Sequence, residues 1–328
     1  MFAVKQSRMR FRRVRVVAIG ALAAAALPVG PSAESLEIPS RIYFKQGKNI
    51  VGVNPDGSNR ALVVAGGSLP GSPLDPAISP NGQKIALSSA GHLWAGGDAG
   101  IRKITRRVSN NLNLTTIRYP AWSPDNKKLV FQATRKQNGV FTARFYRINV
   151  DGTGIKQLIK FGGHFSQVHT RSDWSSTNEI AYEFQDDLWV INPDGSGKTN
   201  ITQDSANYYE PSWNPAGDKI AVIHEGPSEP GQAPFDRAGL WAVDRATGNV
   251  SAITGNAPNT DTRYESVSWS PSGNQVAFSG FVEGDTVGYT YDLYVVAATG
   301  GAATDLNQST PTRTTHVLTP DWAKAPPT

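Results

Sequence analysis

Trp269-Ser270-Pro271-Ser272-Gly273 is the most regular copy of a phrase that recurs, with variations, six times along the chain. Trp122-Ser123-Pro124-Asp125-Asn126 is nearly as regular, and Ile78-Ser79-Pro80-Asn81-Gly82, Trp174-Ser175-Ser176-Thr177-Asn178 and Trp213-Asn214-Pro215-Ala216-Gly217 are looser. A degenerate last copy, Pro320-Asp321-Trp322-Ala323, sits almost at the C-terminus. The anchors Ile78, Trp122, Trp174, Trp213, Trp269 and Trp322 are 44, 52, 39, 56 and 53 residues apart. A period of this size, built from strand-like segments, is the mark of propeller blades or a similar array.

Each phrase opens the same order of events. An apolar strand follows the turn, as in Lys128-Leu129-Val130-Phe131 or Gln275-Val276-Ala277-Phe278. A variable loop leads to a strand with an apolar–aromatic pair such as Leu188-Trp189 or Leu293-Tyr294. That strand ends in a tight glycine turn, Asp151-Gly152, Asp194-Gly195, Thr247-Gly248 or Thr299-Gly300, which marks a hairpin. A last strand closes on Ile104-Thr105, Ile201-Thr202 or Ile253-Thr254. Four short strands per repeat, with no helical periodicity after residue 36, predict an all-β propeller. The anchor tryptophans read as core residues packed between neighbouring blades.

The first segment fixes the blade count. Residues 50–58 align with 188–196, so residues 41–64 supply the second, third and fourth strands of a blade that has no anchor phrase before it. The orphan anchor Asp321-Trp322 has no strands after it. Joining the two predicts a six-bladed β-propeller of four-stranded blades, closed by pairing the C-terminal strand with the N-terminal strands. Closure removes two exposed sheet edges.

Tyr119-Pro120-Ala121-Trp122-Ser123-Pro124-Asp125, Glu210-Pro211-Ser212-Trp213 and Trp269-Ser270-Pro271-Ser272-Gly273 with Val276-Ala277-Phe278 and Asp292-Leu293-Tyr294-Val295 resemble the repeats of the TolB propeller family. The resemblance covers about residues 41–323. TolB carries a further α/β domain ahead of its propeller; only a few residues separate the leader from the first strand here, so no such domain is expected. The resemblance implies a TolB-like propeller of the cell envelope or exterior. It also implies that the channel mouth, where partner proteins insert in TolB, is the working face here.

The net charge of +5 invites a nucleic-acid reading, but residues 1–33 carry Lys5, Arg8, Arg10, Arg12, Arg13 and Arg15 and no acid. The remaining 26 basic and 27 acidic residues leave −1, which argues against nucleic acid. The basic start, the apolar run from Val16 to Leu27 and the small residues around Ala33 are the three regions of a secretory signal peptide. Residues 1–35 are thus read as the leader and 36–328 as the propeller, cleaved between Ala33 and Leu36. Twelve apolar residues fall short of the ~20 that span a bilayer, so no stable membrane span is expected after cleavage. The mature chain is expected to be a monomer, periplasmic or secreted. The chain has no cysteine, which excludes disulfides, thiol chemistry and lipoprotein anchoring.

In such blades the turns after strands one and three share one face and the other loops share the opposite face. The first set is short and uniform. The second set is long and dissimilar, at 68–75, 108–118, 135–142, 160–172, 225–237, 283–291 and 308–319. Function concentrates on such loops. The residues just ahead of each anchor should rim the channel there, so the binding residues are predicted to be Asp75, Arg118, Tyr119, His169, Arg171, Tyr209, Glu210, Tyr264, Glu265 and His316. Arginine and aromatic side chains in such numbers suit a protein or glycan epitope.

No catalytic residue is assigned. Gly-x-Ser-x-Gly is absent, no phosphate-cradling glycine loop precedes a helix, and His164 and His169 alone do not make a metal site. No cofactor is expected; a channel cation held with help from Asp75, Glu210 or Glu265 is the one exception left open. The leading expectation is an exported, non-catalytic scaffold docking an envelope or extracellular protein, or a polysaccharide. The alternative is a polysaccharide lyase or glycosidase drawing on Arg171, His169, Tyr264, Glu210 and Glu265.

Overall fold

The computed structural model describes residues 40–106, 112–161, 171–225, 238–256, 262–282, 291–306 and 317–324. The leader, His169, His316 and most of the long loops lie outside them. Among the described residues no helix is long and apolar enough to cross a membrane.

Among the described residues, twenty-four strands form six antiparallel four-stranded sheets. Blade 1 spans residues 74–103, blade 2 114–160, blade 3 172–200, blade 4 207–256 and blade 5 262–305. Blade 6 joins the C-terminal strand Val317–Lys324 to Ser40–Gln46, Asn49–Val53 and Ala61–Val64, in that spatial order. Ile42 pairs with Trp322 on one side and Val53 on the other, so the chain's two ends complete the ring as expected.

The recurrent phrase is a turn with a fixed hydrogen-bond plan. Its fifth residue has positive φ in all five full copies: Gly82 +73°, Asn126 +58°, Asn178 +70°, Gly217 +74° and Gly273 +78°. Only glycine and asparagine tolerate that conformation readily, which explains their alternation there. The serine at position two is buried, and the Oγ atoms of Ser79, Ser123 and Ser270 accept the amides of Lys84, Lys128 and Gln275 at 2.9, 2.8 and 3.1 Å. The closing Ile-Thr pairs work similarly. Thr105, Thr202 and Thr254 accept the amides of Leu93, Leu188 and Leu240.

The core is six seams. Each blade packs its apolar face on the next, and each anchor tryptophan enters the seam with the preceding blade. Trp122 packs with Ala86, Leu93 and Ile104 of blade 1, and its indole N–H donates to the Ala77 carbonyl at 2.9 Å. Trp322 packs with Ala277, Leu293 and Val295 of blade 5. The final seam sets Tyr43, Ile50 and Val64 of blade 6 against Ile78, Ile85 and Leu87 of blade 1.

One expected loop is different in kind. Residues 135–142 belong to a long ribbon, Lys128–Gln137 paired with Val140–Asn149, that turns on Asn138 and Gly139 alone. Both turn residues have positive φ, +50° and +79°, as a two-residue hairpin requires.

Candidate functional site: the channel and its ion-paired layer

The innermost strands, Leu74–Ile78, Leu114–Trp122, Ser172–Trp174, Asn207–Trp213, Thr262–Trp269 and Val317–Lys324, line a channel with a chamber of about 360 Å³. Prolines and serines of the anchor turns, among them Pro80, Pro124, Ser175, Pro215 and Pro271, form its rim on the short-turn face. Tyr119 and Arg171 belong to its wall at the loop-side end.

The side chains follow a count back from each anchor. Three residues before the anchors stand Asp75, Tyr119, Arg171, Glu210, Ser266 and Thr319. Register shifts interrupt the pairing here, between Leu74 and Ala77, Arg118 and Ala121, Tyr209 and Ser212, and Tyr264 and Ser266. Asp75, Tyr119, Glu210 and Thr319 adopt positive φ of 52°, 53°, 53° and 56°. Left-handed backbone at non-glycine residues carries strain, and bulges re-aim side chains. Here the strained positions build a layer across the channel.

Arg171 is its hub. Nε meets Glu210 Oε2 at 3.2 Å, Nη1 donates to Ser266 Oγ at 2.9 Å, and the guanidinium lies 5.8 Å from the Tyr119 ring centre. One side chain of blade 3 thus touches blades 2, 4 and 5. Beside it Arg118 grips Asp75 through two bonds of 2.5 and 2.9 Å and stacks 4.8 Å from the Tyr119 ring. Burial works against the Asp75 charge, but the bonds and charge of Arg118 with the Ser88 hydroxyl outweigh it and hold the carboxyl below its usual range. Burial pushes Glu210 up to about 7, opposed by Arg171 and aided by the charges of Glu265 and Asp75. Burial likewise raises the Tyr119 phenol.

One residue before the anchors stands a second ring: Ala77, Ala121, Asp173, Ser212, Ser268 and Asp321. Its polar members accept the anchor amide of the next blade. Asp173 takes Trp213 N–H at 2.7 Å, Ser212 takes Trp269 at 3.2 Å, Ser268 takes Trp322 at 2.8 Å and Asp321 takes Ile78 at 2.5 Å. This girdle holds four of the six blade-to-blade steps. Burial raises both carboxyls, Asp321 to about 7.

Of the predicted residues, Asp75, Arg118, Tyr119, Arg171 and Glu210 assemble in the layer. Tyr209 packs beside the blade 4–5 seam, Tyr264 does likewise and lies 3.4 Å from Thr254, and the exposed Glu265 accepts from the Tyr291 hydroxyl at 2.7 Å. Sequence reading missed Ser266, Asp173 and Asp321, although counting back three and one from each anchor finds them. It also missed Glu183, which burial and the charges of Glu210, Asp186 and Glu225 push up to about 9. Among the described residues no three His, Asp or Glu side chains converge as a metal site.

No protein-family profile matches the chain, and no curated protein does. Solved structures share its fold. TolB from Acinetobacter baumannii superposes with a TM-score of 0.65 at 18% identity, over 87% of this chain and 66% of that one. The chain therefore spans slightly under two thirds of that TolB. A protein described as TolB from Agrobacterium tumefaciens gives 0.57 at 20% identity, over 82% and 88%. An oligogalacturonate lyase from Vibrio parahaemolyticus gives 0.52 at 13% identity, over 78% and 70%. The architecture is that of the six-bladed propeller found in TolB structures.

Proposed function

We propose that this chain is an exported, non-catalytic binding scaffold that docks an envelope protein or glycan through its loop-rich face and channel mouth, in the periplasm or outside the cell. The observation that carries the reading is the layer around Arg171. Its charged groups are spent on one another, Arg118 on Asp75 and Arg171 on Glu210, which makes a rigid platform rather than a set of free acids and bases. Tyrosine and arginine side chains held this way are the usual anchors of interfaces. The fold likeness to TolB structures supports the same reading. The test is capture of binding partners from envelope extracts by the chain and by Glu265→Lys, which reverses an exposed charge at the mouth. Loss of capture with an unchanged thermal midpoint supports the proposal; undiminished capture of every partner counts against it. Arg118 is left intact because its removal would strand the buried Asp75.

One observation favours the lyase alternative. Glu210, pushed up to about 7 beside Arg171 and within electrostatic reach of Glu265, has the proton affinity of a general acid or base. Turnover of a polyuronate that is abolished by Glu210→Gln would replace the scaffold reading with this one.

A further inference from the structure

The charge of this chain is divided around the ring. Residues 99–172 contain fourteen Lys and Arg against Asp125 and Asp151, a net of +12. Outside that stretch and residues 1–33 the balance is −13. The near-neutral total therefore hides a basic sector centred on blade 2.

That sector carries the long ribbon. Its outer neighbour strand ends at Lys160, paired with Arg144, so the tip from Arg135 to Thr142 runs past it. Four residue steps lead from Arg144 to Val140, roughly 13 Å of extended chain. Val140 and Phe141 are 37% and 43% exposed, and with Leu62 they are the only large exposed apolar side chains among the described residues. Lys136 lies over the Phe141 ring at 5.2 Å. Arg135 stands beside it, and the exposed Arg106 and Lys160 end or follow strands on the same loop side. No acidic residue occurs between Lys127 and Val150.

We propose that this ribbon tip is a peripheral docking element for an anionic lipid surface. Val140 and Phe141 enter the interface end-on while Arg135, Lys136, Arg106 and Lys160 meet the headgroups. Apolar tips flanked by cations bind bilayers through burial plus attraction to acidic lipids, and the attraction weakens with salt. A soluble polyanion would use the cations and leave Val140 and Phe141 in water, so the exposed apolar pair favours the bilayer. Docked this way, the propeller turns its loop-rich face toward the membrane.

The absence of cysteine from the sequence permits a site-specific test. Val140→Cys in the full chain is labelled with an environment-sensitive fluorophore, and Ser196→Cys on the opposite face serves as control. The probes are vesicles of phosphatidylglycerol and phosphatidylcholine in equal parts, vesicles of phosphatidylcholine alone, and soluble heparin. The expected result is a several-fold rise in emission at position 140 with the acidic vesicles only. The rise should be reversed by salt, reduced at least several-fold by Arg135→Gln with Lys136→Gln, and absent at position 196. Unchanged emission at 140 with acidic vesicles overturns the proposal, as does an equal response to heparin, which would mean docking of polyanions by the cations alone.

Discussion

Arg171 donates to Ser266 across the channel at 2.9 Å, joining two blades that are not neighbours in the ring. The same guanidinium pairs with Glu210, and both side chains are mostly buried, 14% and 15% exposed. Breaking a buried pair by removing one partner is more damaging than removing both, because it strands a charge.

Arg171→Ala should therefore lower unfolding free energy by about 2–4 kcal/mol, and Arg171→Ala with Glu210→Gln should recover part of that loss. Urea unfolding at constant slope reads the difference. Equal losses in the single and double variants would show that the pair is not energetically coupled.

Acidity should favour the folded chain at three carboxyls. Burial lifts Glu183 to about 9, and Glu210 and Asp321 to about 7. Each carboxyl holds its proton more tightly in the folded chain, so the stability it contributes is full below the ordinary carboxylate range. That contribution is lost as pH rises through the raised values. Asp75 acts in the opposite sense: its folded carboxyl titrates low, so its contribution is present above the ordinary range and lost on acidification. Glu183→Gln should raise the thermal midpoint by a few degrees near pH 8 and leave it nearly unchanged near pH 4. A gain of equal size at both pH values would show that titration is not the cause.

Asp321 fastens the last strand to blade 1 through the Ile78 amide. Asp321→Ala leaves that amide without its partner and should cost about 1–3 kcal/mol. Asp321→Asn keeps an acceptor, removes a buried charge and should be at least as stable as the parent near pH 8. Calorimetry on the two variants distinguishes loss of the bond from loss of the charge.

The anchor turn makes its own demand. Glycine and alanine at position 126 both lose the bond that Asn126 Oδ1 accepts from the Asn81 amide at 3.1 Å, but at φ +58° Asn126→Ala should cost about 1 kcal/mol more than Asn126→Gly. Indistinguishable midpoints for the glycine and alanine variants would contradict the role assigned to the left-handed backbone.

The repeat made the architecture readable because each residue of the phrase has its own physical role. Tryptophan fills a seam, serine caps a strand amide, and glycine or asparagine takes positive φ. Blade 6 was readable for the same reason, since residues 50–58 and Asp321-Trp322 are complementary fragments of one repeat. The site was only half readable. Asp75, Tyr119, Arg171 and Glu210 announce themselves by charge or ring, but Ser266 holds the same position without a distinctive side chain. Asp173 and Asp321 were hidden because the position they hold is alanine or serine in the other four blades. The 135–142 stretch reads as irregular until Asn138-Gly139 is recognised as a two-residue hairpin turn.

The most direct test of the binding account places a photoreactive amino acid at Glu265 on the mouth and, separately, at Ser196 on the short-turn face, then irradiates living cells that produce the chain. The account predicts a defined covalent adduct with an envelope protein or glycan from position 265 and none from position 196. Adducts from position 196 alone would contradict it and transfer the working surface to the opposite side of the ring.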